Sequence, residues 1–98
     1  GDQLAEASTL AALGQLLRAM GNSLEARRHY HRAATLYAHA GHLRGEADLT
    51  FEMARLEMAE DPVKARHHFE RAASLYEAAG ITDQRDRALK EARGLAAS

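Results

Sequence analysis

The stretch Ala26-Arg-Arg-His-Tyr-His-Arg-Ala-Ala-Thr-Leu-Tyr-Ala-His-Ala-Gly41 returns 39 residues later as Ala65-Arg-His-His-Phe-Glu-Arg-Ala-Ala-Ser-Leu-Tyr-Glu-Ala-Ala-Gly80. Ten of its sixteen positions are identical, and Tyr30 to Phe69 and Thr35 to Ser74 are near-conservative. Self-similarity at a period of about 20–50 residues marks a stacked repeat architecture. One such unit cannot bury its apolar face alone, so neighbours stack to complete the core. The expected fold is all-α: an α–α superhelix of two helix-turn-helix repeats plus a terminal fifth helix.

Working outward, Leu10, Leu13, Gly14 and Leu17 fall at i, i+3, i+4 and i+7, which predicts a first helix over about Gln3 to Ala19 with Asp2 as N-cap. Leu16 and Met20 flank that stripe. Gly21-Asn22-Ser23 breaks the pattern, and Asn22 followed by Glu25 reads as a capping-box-like start. The second helix, about Ser23 to Ala40, buries Ala26, Tyr30, Ala33, Ala34 and Tyr37, and Gly41 ends it in a left-handed conformation. A third helix runs from Leu43 or Gly45 to about Ala59. Asp61-Pro62 starts the fourth, with Asp as N-cap and Pro where a missing N–H costs nothing. A fifth spans about Asp83 to Ala96, with a thin apolar face of Ala88, Leu89, Ala92 and Leu95. The chain thus reads as one domain over 1–98: repeat 1 over about 3–41, repeat 2 over about 42–80, and a terminal helix over about 82–96. The abrupt start at Gly1-Asp2 reads as the edge of a piece cut from a longer protein.

Composition fits close helix packing. Aromatic residues make up 5% and Trp is absent, so the core is built from Ala, Leu and Met. Thirteen basic against fourteen acidic residues leave a net charge of −1, without the basic surplus that draws nucleic acid or anionic membrane. Zero Cys excludes disulfides and thiolate chemistry and is compatible with a reducing, cytoplasmic compartment. No long apolar run or signal-peptide pattern is present.

Ala26, Tyr30 and Ala33, with Leu10, Leu13-Gly14, Leu17 and Gly21 before them, resemble the tetratricopeptide repeat. Ala65, Phe69 and Ala72 repeat the second-helix pattern, while Met53-Ala54 stands where Leu-Gly is expected. The period of 39–40 resembles the longer variety of kinesin light chains and bacterial signalling regulators, whose units often begin Gly-Glu-Ala; Ala5-Glu6-Ala7 and Gly45-Glu46-Ala47 occupy that place. The resemblance implies a right-handed stack of antiparallel helix pairs that binds protein partners, with the first helix of each pair lining a concave groove. Ala12 and Glu52 replace the Asn with which peptide-binding members grip a ligand backbone, and the Lys and Asn of the carboxylate clamp are not matched.

Catalytic and metal chemistry find little support in the residues. His29-x-His31 and His67-His68 do not share a helix face within each pair, and no H-E-x-x-H pattern supplies a zinc set. His39 and His42 lie across the Gly41 turn. No Gly-rich phosphate loop or nucleophile elbow is present. Arg27, Arg28 and Arg32, with Arg66 and Arg71, are expected to form a solvated, salt-bridged face beside Glu25 and Glu70. No enzyme, cofactor, metal, nucleic-acid or membrane role is assigned.

The third helix carries two apolar stripes: Leu49, Met53 and Leu56, and, nearly opposite, Ala47, Phe51, Ala54 and Met58. Both suit a helix buried between neighbours. Aligning Ala5-Glu6-Ala7 with Gly45-Glu46-Ala47, a 40-residue register, places Ser8, Ala11, Gln15 and Arg18 in the groove beside Asp48, Phe51, Arg55 and Met58. A 39-residue register places Ala47, Thr50, Ala54 and Glu57 there. The expected partner-binding residues are those of the first register: Ser8, Gln15, Arg18, Asp48, Phe51, Arg55 and Met58. The expected function is a noncatalytic protein-interaction module that takes a peptide or helix of a partner in that groove. The alternative is a structural or self-association element of a larger regulatory protein.

Overall fold

Three glycines decide where helices stop. Gly21, Gly41 and Gly80 take φ of 83°, 71° and 75°, a region costly for residues with a Cβ. Around each, the same pair of hydrogen bonds closes the helix end. The amide of Asn22 donates to the Leu17 carbonyl and that of Gly21 to Arg18; His42 and Gly41 do the same to Tyr37 and Ala38, and Ile81 and Gly80 to Tyr76 and Glu77. These are Schellman motifs, which satisfy carbonyls that a helix end otherwise leaves unpaired. A computed structural model describes residues 2–96 and shows α1 Gln3–Ala19, α2 Ser23–His39, α3 Leu43–Glu57, α4 Pro62–Ala78 and α5 Thr82–Ala96. Among the described residues there is no strand. Gly1, at the edge read from the sequence, and residues 97–98 of the expected domain lie outside the described residues.

The starts are less uniform than the ends. Asp61 caps α4 by accepting the Lys64 amide at 3.1 Å, with Pro62 opening the helix. His42 caps α3, its Nδ1 accepting the Gly45 amide at 3.0 Å, a role the sequence did not suggest. The capping box at Asn22 does not form. Neither Asn22 nor Asp2 makes a side-chain cap bond, and Glu25 instead accepts from Arg28 at 2.8 Å.

Each helix packs chiefly on its neighbours in sequence. Two cores result, with α3 between them. Leu49 and Met53 join Leu10, Ala26, Tyr30, Ala33 and Ala34 in the first. Ala47, Phe51 and Ala54 join Ala65, Phe69, Ala72, Ala73, Tyr76, Ala88 and Ala92 in the second. Both apolar stripes of α3 are therefore core, although Leu56 is only half-buried and Met58, just past the helix, is exposed. In α1 the buried stripe is Ala7, Leu10 and Gly14. Leu13 is left 43% exposed, because among the described residues α1 packs chiefly on α2.

Small residues set the crossing distances. A Cβ on Gly14 would meet two atoms of the fully buried Tyr30 ring at 2.7 Å and the Ala26 carbonyl at 3.3 Å. Helix propensity alone would favour Ala there by about 1 kcal/mol. Overpacking against a ring that cannot turn away costs about 1–3 kcal/mol, so the clash outweighs it. Gly14→Ala is expected to lower the melting temperature, and Ala72→Leu, at a fully buried position, to lower it further. Differential scanning calorimetry checks both; an unchanged or raised midpoint for either would contradict this packing.

Candidate functional site

The first-helix face divides the expected site residues. Gly14 meets Tyr30, and Ala54 shares a core with Phe69. The first helices therefore repeat at 40 residues while the second helices repeat at 39. Ser8, Gln15 and Arg18 are exposed on α1, and Arg55 is exposed on α3, 3.4 Å from Glu52. Burial raises the pKa of the Tyr30 hydroxyl, Arg18 draws it back, and Glu52 and Arg55 act on it from α3.

Phe51 and Asp48 are used internally, which corrects their assignment to an open groove. Phe51 is 6% exposed and packs edge-on to Phe69, with ring centroids 5.1 Å apart. The Arg87 guanidinium of α5 lies 5.0 Å from its ring centroid, a cation–π contact. Asp48 is half-buried and accepts from the Tyr76 hydroxyl, whose pKa is pushed up by burial and by this carboxylate. The physical reason is α5, which packs on α4 and closes over this part of α3.

A different groove lies between α2 and α4. Its floor is a third stripe of α3: Glu46, Thr50, Met53 and Glu57, at i, i+4, i+7 and i+11. Its walls carry basic side chains. Arg27 and His31, and Arg28 and Arg32, are i,i+4 pairs on α2; Lys64 and His68 form such a pair on α4. These six side chains, with Leu24, Met53 and Glu57, line a cleft of about 600 Å³. A second cleft of about 290 Å³ continues it, sharing His31, Met53 and His68 and reaching Glu46 and Arg71.

Glu57 organises the first cleft. Its residue is 1% exposed, and burying a lone carboxylate costs several kcal/mol. Three groups offset that cost: Arg27 at 3.8 Å, Lys64 at 3.7 Å, and His68, whose Nδ1 contacts Oε1. Glu46 holds Arg71 in the same way at 3.1 Å. Buried acids below therefore fix cations at the rim. Arg28 pairs with Glu25 as a solvated i,i+3 pair, while Arg32 has no ion-pair partner among the described residues. The expected salt-bridged arginine face thus holds for Arg27, Arg28 and Arg71, while among the described residues Arg32 and Arg66 have no ion-pair partner. The cationic i,i+4 spacing was visible in the sequence. The convergence on Glu57 was not, because its partners are distant in the chain.

Among the described residues, no group of three or more His, Asp or Glu is placed to hold a metal. Among those residues no helix is long and apolar enough to cross a membrane. The groove presents basic and apolar side chains together. The burial of Phe51 carries its own consequence: Phe51→Ala should cost about 3–5 kcal/mol of folding free energy. A thermal melt should show a large loss, whereas Arg55→Glu, at an exposed site, should melt nearly like the parent chain. A Phe51→Ala protein as stable as the parent would place Phe51 outside the core.

Comparison with known proteins adds one match. The family model described as "Soluble NSF attachment protein, SNAP" matches residues 2–98. No curated protein and no solved structure matches the chain. The match agrees with the helical-repeat architecture and does not single out the tetratricopeptide or kinesin light chain variety. It is a family of helical protein-interaction modules. With helices that pack on their sequence neighbours among the described residues and a family match over nearly its whole length, the chain belongs to the soluble NSF attachment protein family.

Proposed function

We propose that the chain is a noncatalytic adaptor module that holds an acidic segment of a partner protein in the groove between α2 and α4. The observation that carries this reading is the cleft lined by Arg27, Arg28, Arg32, Lys64, His31 and His68 above Met53. A surplus of fixed cations steers and orients an acidic partner. Leu24 and Met53 provide apolar surface for a large side chain beside the charges. The family's name describes attachment to another protein, NSF, which accords with a binding role. A cytoplasmic setting and the likeness to 39–40-residue tetratricopeptide repeats belong to the same proposal. On the first-helix face, Ser8, Gln15, Arg18, Arg55 and Met58 form the competing surface, and one experiment separates the two. Fluorescence anisotropy with a short, Glu-rich labelled peptide should show salt-sensitive binding that Lys64→Glu weakens at least about tenfold. Arg55→Glu should leave that binding unchanged. The opposite pattern would move the partner to the first-helix face.

End-on association is a second reading with its own observation. Leu13, Leu16 and Met20, on α1 and at its C-terminal end, are between 43% and 70% exposed. In the 40-residue register, Leu13 and Leu16 correspond to Met53 and Leu56, which α3 packs towards α2. Mass measurement across a concentration series tests it. Reversible dimerisation abolished by Leu16→Glu supports it, and a monomer at every concentration removes it.

A further inference from the structure

We propose that the first cleft of this groove is a pocket for a phosphorylated serine or threonine side chain of the bound segment. The proposal rests on the α2–α4 reading and specifies which group the partner presents there. Four permanent cations, Arg27, Arg28, Arg32 and Lys64, line the cleft against a single lining carboxylate, Glu57. Glu25, which holds Arg28 through an exposed pair, cancels one more charge and leaves a surplus. A phosphoryl group carries about −1.5 to −2 charges and three strong acceptor oxygens. The surplus matches it better than it matches the single charge of a Glu side chain.

Geometry supports the same choice. Arg27 Nη1 and Lys64 Nζ stand 3.8 and 3.7 Å from Glu57 Oε2, near enough to be positioned but beyond hydrogen-bond distance of it. Their contact with Glu57 therefore leaves N–H donors for a second anion. Arg32 has no ion-pair partner among the described residues, so its planar guanidinium can take phosphate bidentately. Lys64 and Leu24 sit in the first turns of α4 and α2, where the helix dipoles add positive potential. The cleft of about 600 Å³ has room for a phosphorylated side chain and an apolar neighbour against Leu24 and Met53. The mild overall charge of −1 conceals this focus, because the compensating acids lie elsewhere on the chain.

The test compares three short fluorescein-labelled peptides that differ at one position: phosphoserine, serine and glutamate, each with a leucine nearby and an acidic remainder. The phosphoserine peptide should bind at least about tenfold more tightly than the serine peptide, and more tightly than the glutamate peptide. Arg32→Gln, an exposed substitution, should abolish the advantage of phosphoserine over glutamate, and millimolar inorganic phosphate should compete with the phosphoserine peptide. Circular dichroism verifies that the variant folds. If the glutamate peptide binds and phosphorylation adds nothing, the pocket proposal is wrong and the acidic-groove reading stands. If phosphoserine is preferred but Arg32→Gln does not change that preference, the pocket proposal is also wrong. If no peptide binds the chain, both fail together.

Discussion

The third helix has no face to spare, and the rest of the molecule follows from that. One apolar stripe, Leu49 and Met53, packs with α2; another, Ala47, Phe51 and Ala54, packs with α4 and α5. Polar residues on α3 must leave through the gaps between these neighbours. Glu46 and Glu57 leave towards the α2–α4 groove, and Asp48, Glu52 and Arg55 leave on the other side. The carboxylate of Glu57 is consequently taken out of water and has to be met by charge. Arg27 and Lys64 meet it with charge, and the His68 ring nitrogen lies against its other oxygen. A packing constraint on one helix thus dictates where cations gather on two others.

Small side chains make this possible. Ala26, Ala33, Ala65 and Ala72 are fully buried, and Gly14 admits the Tyr30 ring. Close crossings bring α2 and α4 onto either side of α3, near enough for their side chains to share the Glu57 carboxylate. An ion cluster of this kind contributes little net stability compared with apolar residues of equal volume. Its effect is positional. It holds long, otherwise mobile cationic side chains at defined places, which lowers the ordering cost that a partner would meet on binding.

Much of the fold was legible because periodicity and punctuation agree. Gly21, Gly41 and Gly80 mark helix ends, Asp61-Pro62 marks a start, and the duplicated Ala-rich second helix fixes the hairpin spacing. Local polar bonding was less legible. Asn22 and Glu25 have the spacing of a capping box, yet Glu25 finds Arg28 within its own helix. His42 caps α3 through a ring nitrogen, a role few sequences announce. The site was legible only in part. Arg18 and Arg55 are exposed, but Phe51 is covered because α5 folds back, and no local pattern encodes that return. The groove floor, Glu46, Thr50, Met53 and Glu57, keeps helical spacing. Its polar members read as a solvent face until α2 and α4 are placed beside it.

The central claim is that partners engage the second-helix groove. Heteronuclear NMR of the labelled chain, titrated with a Glu-rich peptide, tests it most directly. The account predicts that the largest shift changes fall on Arg27, Arg32, Lys64 and the imidazoles of His31 and His68, with Gln15, Arg18 and Arg55 undisturbed. Changes centred on Gln15, Arg18 and Arg55, with the α2–α4 groove silent, would contradict it.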